Sequence, residues 1–127
     1  MEDRLQVVLD YLLENGETGI RQLGIMCGYT VQEDKTNHDC CAVLRRDIER
    51  INNSNEHNYT IIYDKDYNYR IAKDKNEAIE FYEKKKLYPA LKKLKAYWIT
   101  IGKIKENGQI AFDEEMKQFI IKAFQEV

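Results

Sequence analysis

The sequence predicts a mainly α-helical protein with one β-hairpin, an α+β fold. Three observations indicate this class. Apolar residues recur at helical spacing in three stretches before residue 52. Two aromatic and β-branched segments with a short polar turn between them follow, and the helical spacing returns from residue 75 onward. One proline, six glycines and a charged fraction of 33% are typical of a mainly helical soluble chain.

The change of pattern after the hairpin predicts two parts. We expect a compact domain over residues 1–72 and a helical extension over residues 73–127 that acts as a dimerisation arm. No apolar run approaches the ~18–20 residues that a membrane span requires, and the first residues begin a charged amphipathic stretch. The sequence therefore predicts a cytoplasmic protein without a membrane partner.

Two short helices begin the predicted domain. The apolar face of the first helix consists of Leu5, Val8, Leu9 and Leu12. Gly16 supplies its stop, and Thr18 is a good N-cap for the second helix, which Gly28 closes. Its inward residues are Ile20, Leu23 and Cys27. Gly24 lowers helix propensity, so we expect close packing against it.

A third helix is predicted over residues 36–51. Thr36 and Asp39 have the spacing of a capping box. The apolar stripe that follows consists of Cys41, Leu44, Ile48 and Ile51. The hairpin comes next, with strands at Tyr59–Tyr63 and Tyr67–Ala72 that are joined by Asp64-Lys65-Asp66. The predicted core of the domain is Leu5, Leu9, Leu12, Leu23, Leu44, Ile48 and Ile61.

The extension starts at a second capping-box spacing, Asp74 to Glu77, and Pro89 should kink or restart its helix. Apolar residues then alternate by four and three over two heptads, which is adequate for a dimer seam. This predicted dimerisation seam is Leu87, Leu91, Leu94, Trp98 and Ile101. Beyond Gly108, a short strand at Gln109–Phe112 and a last helix from Asp113 are predicted. The seam can pack on that last helix, on a second copy, or on both.

From Thr18 to Ile71 the chain resembles the N-terminal winged helix–turn–helix modules of bacterial transcription regulators of the DeoR and WYL-domain type. Three segments carry the resemblance: Ile20-Arg21-Gln22-Leu23-Gly24, Arg45-Arg46-Asp47-Ile48 and Tyr69-Arg70-Ile71. The resemblance implies a recognition helix followed by a wing. Two features differ from that family. The spacing from Gly28 to Asp47 is longer, and the effector-binding domain is absent. The lysine-rich arm after the wing is similar in layout to small phage- or prophage-encoded winged-helix proteins.

This layout predicts a transcription regulator, or a phage-type protein, that binds double-stranded DNA as a homodimer. The candidate DNA contacts are Lys35, Asn37, His38, Arg45, Arg46, Arg50, Lys65 and Arg70. The same helix residues also fit a solvated face with internal ion pairs. A winged helix that binds a protein partner and no DNA is therefore the alternative interpretation.

Charge is unevenly distributed along the chain. The net charge is −2, yet residues 84–105 hold eight lysines and no acidic residue. This run fits a phosphate-binding stripe and a solvated helix face equally well. The acidic balance elsewhere favours the protein-partner alternative.

No catalytic or cofactor motif is present in the sequence, so we expect neither an enzyme nor a bound cofactor. Cys27, Cys40 and Cys41 are an odd number of cysteines, which favours reduced, buried thiols over disulfides. Together with His38 they lack the paired spacing of a structural zinc site. Asp64-x-Asp66-x-Asn68 begins like a calcium loop but lacks the required glycine and glutamate.

Overall fold

The computed structural model describes residues 1–104, 118, 120–122, 125 and 126, and for Trp98 and residues 101–104 it describes the backbone alone. The chain divides into two compact units, Met1–Phe81 and Tyr82–Val127. Helices and one small antiparallel sheet build the described part, so the predicted mainly helical α+β class is confirmed. Within that part, no helix combines the length and the apolar character that crossing a membrane requires.

Short elements follow one another through the first unit. In chain order they are α1 (Asp3–Asn15), β1 (Thr18–Gly19), α2 (Ile20–Met26), α3 (Ala42–Asn52), β2 (Ile61–Tyr63), β3 (Asn68–Ile71) and α4 (Lys75–Tyr82). Strand β3 lies in the centre of the sheet, between β1 and β2, and both pairings are antiparallel. Tyr69 of β3 is opposite Thr18 on one side and opposite Tyr63 on the other.

The predicted core is confirmed at every position. The seven residues are all buried and belong to one apolar cluster: Leu5, Leu9, Leu12, Leu23, Leu44, Ile48 and Ile61. The cluster is completed by Val8, Ile20, Ile51 and Tyr69 and by Cys40 and Cys41. Burying these side chains on one face of each helix is what holds such short helices in place, because helices of this length are marginal in isolation.

Two glycines shape the first two helices. Helix α1 stops as predicted, because Gly16 has a φ of +76° and donates its N–H to the carbonyl of Leu12 at 2.9 Å. Gly24 permits the predicted close packing. A Cβ at this position would lie 2.9 Å from Cγ2 of Val31 and 3.1 Å from Sγ of Cys41.

Two predicted helix starts are wrong. Helix α3 begins at Ala42, so residues 36–41 form a turn outside it. The capping pattern is used locally, because the N–H of Asp39 donates to Oγ1 of Thr36 at 3.3 Å without starting the helix. Thr18 is not the N-cap of α2: it lies in β1 and pairs with Tyr69, and its hydroxyl donates to the carbonyl of Gly16.

The hairpin turn is held by one carboxylate. Oδ1 of Asp64 accepts the backbone N–H groups of Asp66 and Asn68 at 2.9 and 3.0 Å. Tyr67 takes the left-handed conformation with a φ of +60°, at the position where a three-residue hairpin loop favours glycine. On the outer side of the hairpin, the side-chain amide of Asn52 donates to the carbonyl of Ile61 at 2.9 Å and accepts its N–H at 2.7 Å.

The second unit begins with a π-helix at Glu83–Leu87, and α5 follows at Tyr88–Ile104. Pro89 is the second residue of α5, which follows the π-helix directly, so no break in helical structure precedes it. In the predicted seam, Leu87 and Leu91 are 47% and 44% exposed, and Leu94 is half-buried. The side chains of Trp98 and Ile101 lie outside the described residues, as do the predicted strand at Gln109–Phe112 and most of the predicted last helix.

Candidate nucleic-acid interface

The long connection between α2 and α3, residues 27–41, is organised by one arginine. Nε of Arg21 donates to Oδ1 of Asn37 at 2.8 Å, and its terminal nitrogens donate to the carbonyls of Gln32 and Lys35. The N–H of Gln32 in turn donates to the carbonyl of Cys40 at 3.0 Å. Arg21 thereby gives a defined path to a segment with no regular secondary structure.

His38 joins this connection to the hairpin and to α3. Its Nδ1 lies 2.9 Å from the hydroxyl of Tyr67, and the two ring centroids are 5.6 Å apart. Its carbonyl accepts a hydrogen bond from Nη1 of Arg45 at 2.5 Å. The turn at residues 36–41, the start of α3 and the hairpin turn therefore meet at one residue.

Aromatic rings support the hairpin from its inner side. Tyr63 stacks on Tyr67 with a centroid distance of 5.5 Å, and it lies 5.0 Å from Tyr69 and 5.1 Å from Phe81. Burial raises the pKa of the Tyr69 hydroxyl above its ordinary value. These tyrosines are cross-strand and ring-on-ring contacts within the protein.

Asp47 is a buried carboxylate, 2% exposed, at the centre of an ion-pair network. It lies 2.8 Å from Nε of Arg4 and accepts the hydroxyl of Tyr29 at 2.5 Å. Burial, together with this hydrogen bond, raises the pKa of the Tyr29 hydroxyl. Arg50 approaches Asp47 at 3.5 Å and pairs with Glu2 at 2.6 Å. The aspartate of the Arg-Arg-Asp-Ile segment thus fastens α3 to α1 and to the connection.

Three of the predicted contact residues are exposed and have no hydrogen bond or ion pair through their side chains with any described residue. They are Lys35 in the connection, Arg46 on α3 and Lys65 in the hairpin turn. The contacts of His38 hold together the three segments that carry them. We call these three residues the cationic face.

The other predicted contact residues already have partners. Oδ1 of Asn37 accepts a hydrogen bond from the guanidinium of Arg21, and the ring of His38 is hydrogen-bonded to the hydroxyl of Tyr67. Arg45 donates to the carbonyl of His38. Arg50 pairs with Glu2 and Asp47, and Arg70 pairs with Glu77. Sequence reasoning could not separate Arg45, Arg46 and Arg50, because the partners that distinguish them come from distant positions.

Acidic groups accompany the cationic face. Asp64 and Asp66 flank Lys65, and the backbone N–H of Asn68 holds the pKa of the Asp64 carboxyl below its ordinary value. The first unit as a whole has ten basic and sixteen acidic side chains, a net charge of −6. Attraction to a polyanion would therefore have to come from this local face and from the lysines of the second unit.

The cysteines are free thiols, as predicted, and Cys40 and Cys41 are buried with their sulfur atoms 3.3 Å apart. Burial, followed by the hydrogen bond with Cys40, raises the pKa of the Cys41 thiol to about 12. No group of three or more histidine, cysteine or acidic residues within the described ranges is arranged to hold a metal ion.

An open groove of about 530 Å³ lies beside the start of α4. Its lining includes Tyr59, Thr60, Ala72, Lys73 and Ile79. None of the predicted contact residues lines it, so this groove is separate from the cationic face.

Sequence reasoning missed three residues that build this region: Arg4, Arg21 and Tyr67. Arg21 binds partners 11 to 16 positions away, and Arg4 binds Asp47 43 positions away, so no local pattern identifies them. Only Tyr67 had a local signal, since it occupies the place in a short hairpin turn where glycine is favoured.

The chain matches no known protein-family model, no curated protein and no solved structure.

Proposed function

We propose that the protein is a DNA-binding regulator of the winged helix–turn–helix type, in which α3 enters the major groove and the β2–β3 hairpin contacts the adjacent backbone. The order of α1, α2, α3 and hairpin supports this proposal, and so does the likeness of Arg45-Arg46-Asp47-Ile48 to the DeoR and WYL-type regulators. The observation that carries it is the convergence at His38 of three segments, each with a free basic side chain.

The chemistry of the face suits a duplex. Lysine and arginine without internal partners can bind phosphate without first breaking an ion pair. In the proposed complex, Lys65 of the hairpin turn contacts the phosphate backbone and Arg46 of α3 contacts base edges. In this arrangement the paired arginines, Arg45 and Arg50, fix the helix and the free one touches DNA.

A titration of a labelled random-sequence duplex at several salt concentrations tests the proposal. The dependence of log affinity on log salt should fall by about 0.9 for each phosphate contact removed, so Lys35→Ala and Lys65→Ala should each weaken binding and flatten the slope. Lys75→Ala removes one charge from the start of α4, outside the cationic face, and should change neither. Binding that is absent, or that is weakened equally by all three substitutions, would refute the assignment.

The net charge of −6 on the first unit favours a second candidate, a winged helix that binds a basic or apolar protein partner and no DNA. The same titration distinguishes the two functions. A protein-binding module would retain no duplex even at low salt, whereas a DNA-binding regulator would bind it equally as wild type and as Lys75→Ala.

We propose further that the arm of the second unit joins two copies. Exposed Leu87 and Leu91 support this, because they belong to the predicted apolar seam and Lys92, Lys93 and Lys95 lie outside it. A two-fold dimer would present two copies of α3 to a palindromic site with half-sites about one DNA turn apart, ~34 Å.

A further inference from the structure

The outward side of α3 begins with an apolar residue. Val43 is 45% exposed in the first turn of the helix, whereas Leu44, Ile48 and Ile51, which project in other directions, are buried in the core. Arg46 follows three positions later on the same side and is exposed as well. Val43 and Arg46 thus form a short outward row of one apolar and one cationic side chain.

Only Arg46 among the three arginines of α3 is free to reach a ligand. Arg45 is half-buried and donates to the carbonyl of His38, and Arg50 is paired with Glu2 and Asp47. The side chain of Arg46 has no hydrogen bond or ion pair with any residue in the described part of the chain. Its guanidinium can therefore offer two parallel donors without losing an internal contact.

The two side chains match two different features of a base pair in the major groove. The methyl groups of valine fit the C5-methyl group of thymine, and a guanidinium binds O6 and N7 of guanine with two hydrogen bonds. Three residues of helix rise about 4.5 Å and one base step rises about 3.4 Å, so the two contacts fall on neighbouring base pairs.

We infer that Val43 and Arg46 read a thymine and a guanine in adjacent base pairs. The inference rests on the proposed DNA-binding function and names the specificity of the same helix. Val43 supplies no charge, so it adds discrimination between sequences without adding general affinity for DNA.

The test begins with selection of bound duplexes from a random library by the full-length protein. The selected sites should share a thymine next to a guanine. Replacing that thymine by deoxyuridine removes only the methyl group and should weaken binding by about fourfold. Val43→Ala should bind the thymine and deoxyuridine duplexes equally, whereas the matched control Val7→Ala, at an exposed valine of α1, should keep the difference.

Arg46→Lys keeps the charge but loses the planar pair of donors. We expect its preference for guanine to fall by roughly 5- to 100-fold while the salt dependence of binding is unchanged. Selected sites without this step, or a Val43→Ala variant that still senses the methyl group, would overturn the inference and leave DNA binding intact. A wild-type protein that retains no duplex at low salt would overturn both.

Discussion

The guanidinium of Arg4 meets the carboxylate of Asp47 at 2.8 Å through Nε and at 3.1 Å through Nη2, which fastens the third helix to the first. Asp47 is buried and Arg4 is half-exposed, so most of the cost of desolvation falls on the acid. The hydroxyl of Tyr29 also donates a hydrogen bond to the carboxylate of Asp47. The orientation of α3, and with it the direction of Arg46, depends on this buried acid.

Replacing Asp47 by Asn should destabilise the fold by about 1–3 kcal/mol, because an amide nitrogen would face donors that now meet a carboxylate. Urea denaturation followed by circular dichroism measures the change. Asp66→Asn makes the same chemical change in the exposed hairpin turn and should be close to neutral. Equal midpoints for the two variants would show that the network contributes no net stability.

The hydrogen bond between His38 and Tyr67 should order the turn at residues 36–41. Tyr67→Phe removes the hydroxyl and keeps the ring that stacks on Tyr63. We expect a loss of about 0.5–1.5 kcal/mol and faster amide hydrogen exchange at Cys40, whose N–H bonds to the carbonyl of Thr36. Tyr59→Phe, at an exposed tyrosine, is the control. Unchanged exchange at Cys40 would mean that the turn is held without the hairpin.

Gly24→Ala tests the close packing through the sign of its effect on folding stability. In an open helix this substitution stabilises by up to ~1 kcal/mol. Here the added Cβ would lie 2.9 Å from Val31 and 3.1 Å from Cys41, so we expect destabilisation of about 1–3 kcal/mol instead. Thermal melts of Gly24→Ala and of Gln22→Ala, an exposed position on the same helix, measure the effect. A higher melting temperature for Gly24→Ala would contradict the close packing.

Glu77 links stability to acid pH. Its hydrogen bond with Arg70, and then that with the N–H of Lys73, lowers the pKa of the Glu77 carboxyl from 4.5 to about 2. Since the folded state has the lower pKa, this contribution is fully present above pH 4.5 and is lost as pH falls toward 2. Glu77→Gln should remove this part of the acid sensitivity. Denaturant midpoints across that range measure it, with the exposed Glu80→Gln as control. Parallel curves for wild type and Glu77→Gln would exclude the linkage.

Leu91→Glu should dissociate the proposed dimer, because a carboxylate would replace a leucine in the apolar seam. Sedimentation at micromolar concentration should then show a folded monomer of 15.1 kDa. Ala90→Glu introduces the same charge at the neighbouring exposed position and should remain dimeric. Wild-type protein that sediments as a monomer would remove the dimer proposal and assign the seam to packing within one chain.

Sequence periodicity was sufficient for the apolar core and for the hairpin, because both depend on residues a few positions apart. It failed at residues 36–41, where the capping pattern of Thr36 and Asp39 is satisfied within a turn while Arg21 binds carbonyls of the same connection. Strand β1 was also missed, since two residues have no periodicity and Thr18 gains its role only by pairing with Tyr69.

The candidate site was predicted as a set of basic residues without their relations. The sequence places Arg45, Arg46 and Arg50 on one helix. It does not show that Arg50 pairs with Glu2 or that Arg45 donates to the carbonyl of His38. Such differences are fixed by tertiary packing and not by local pattern. Val43 lies outside the predicted apolar stripe of this helix, and its exposure agrees with that pattern.

The side-chain amide of Asn52 makes the two hydrogen bonds to Ile61 that a neighbouring strand would make. Strand β2 lies at the edge of the sheet, where free backbone groups can recruit a strand from another molecule. The side chain of Asn52 occupies both the N–H and the C=O of Ile61, the first residue of β2. Another chain would have to displace the end of α3 before it could extend the sheet. The last residue of the helix thereby protects the protein against edge-to-edge polymerisation at high concentration.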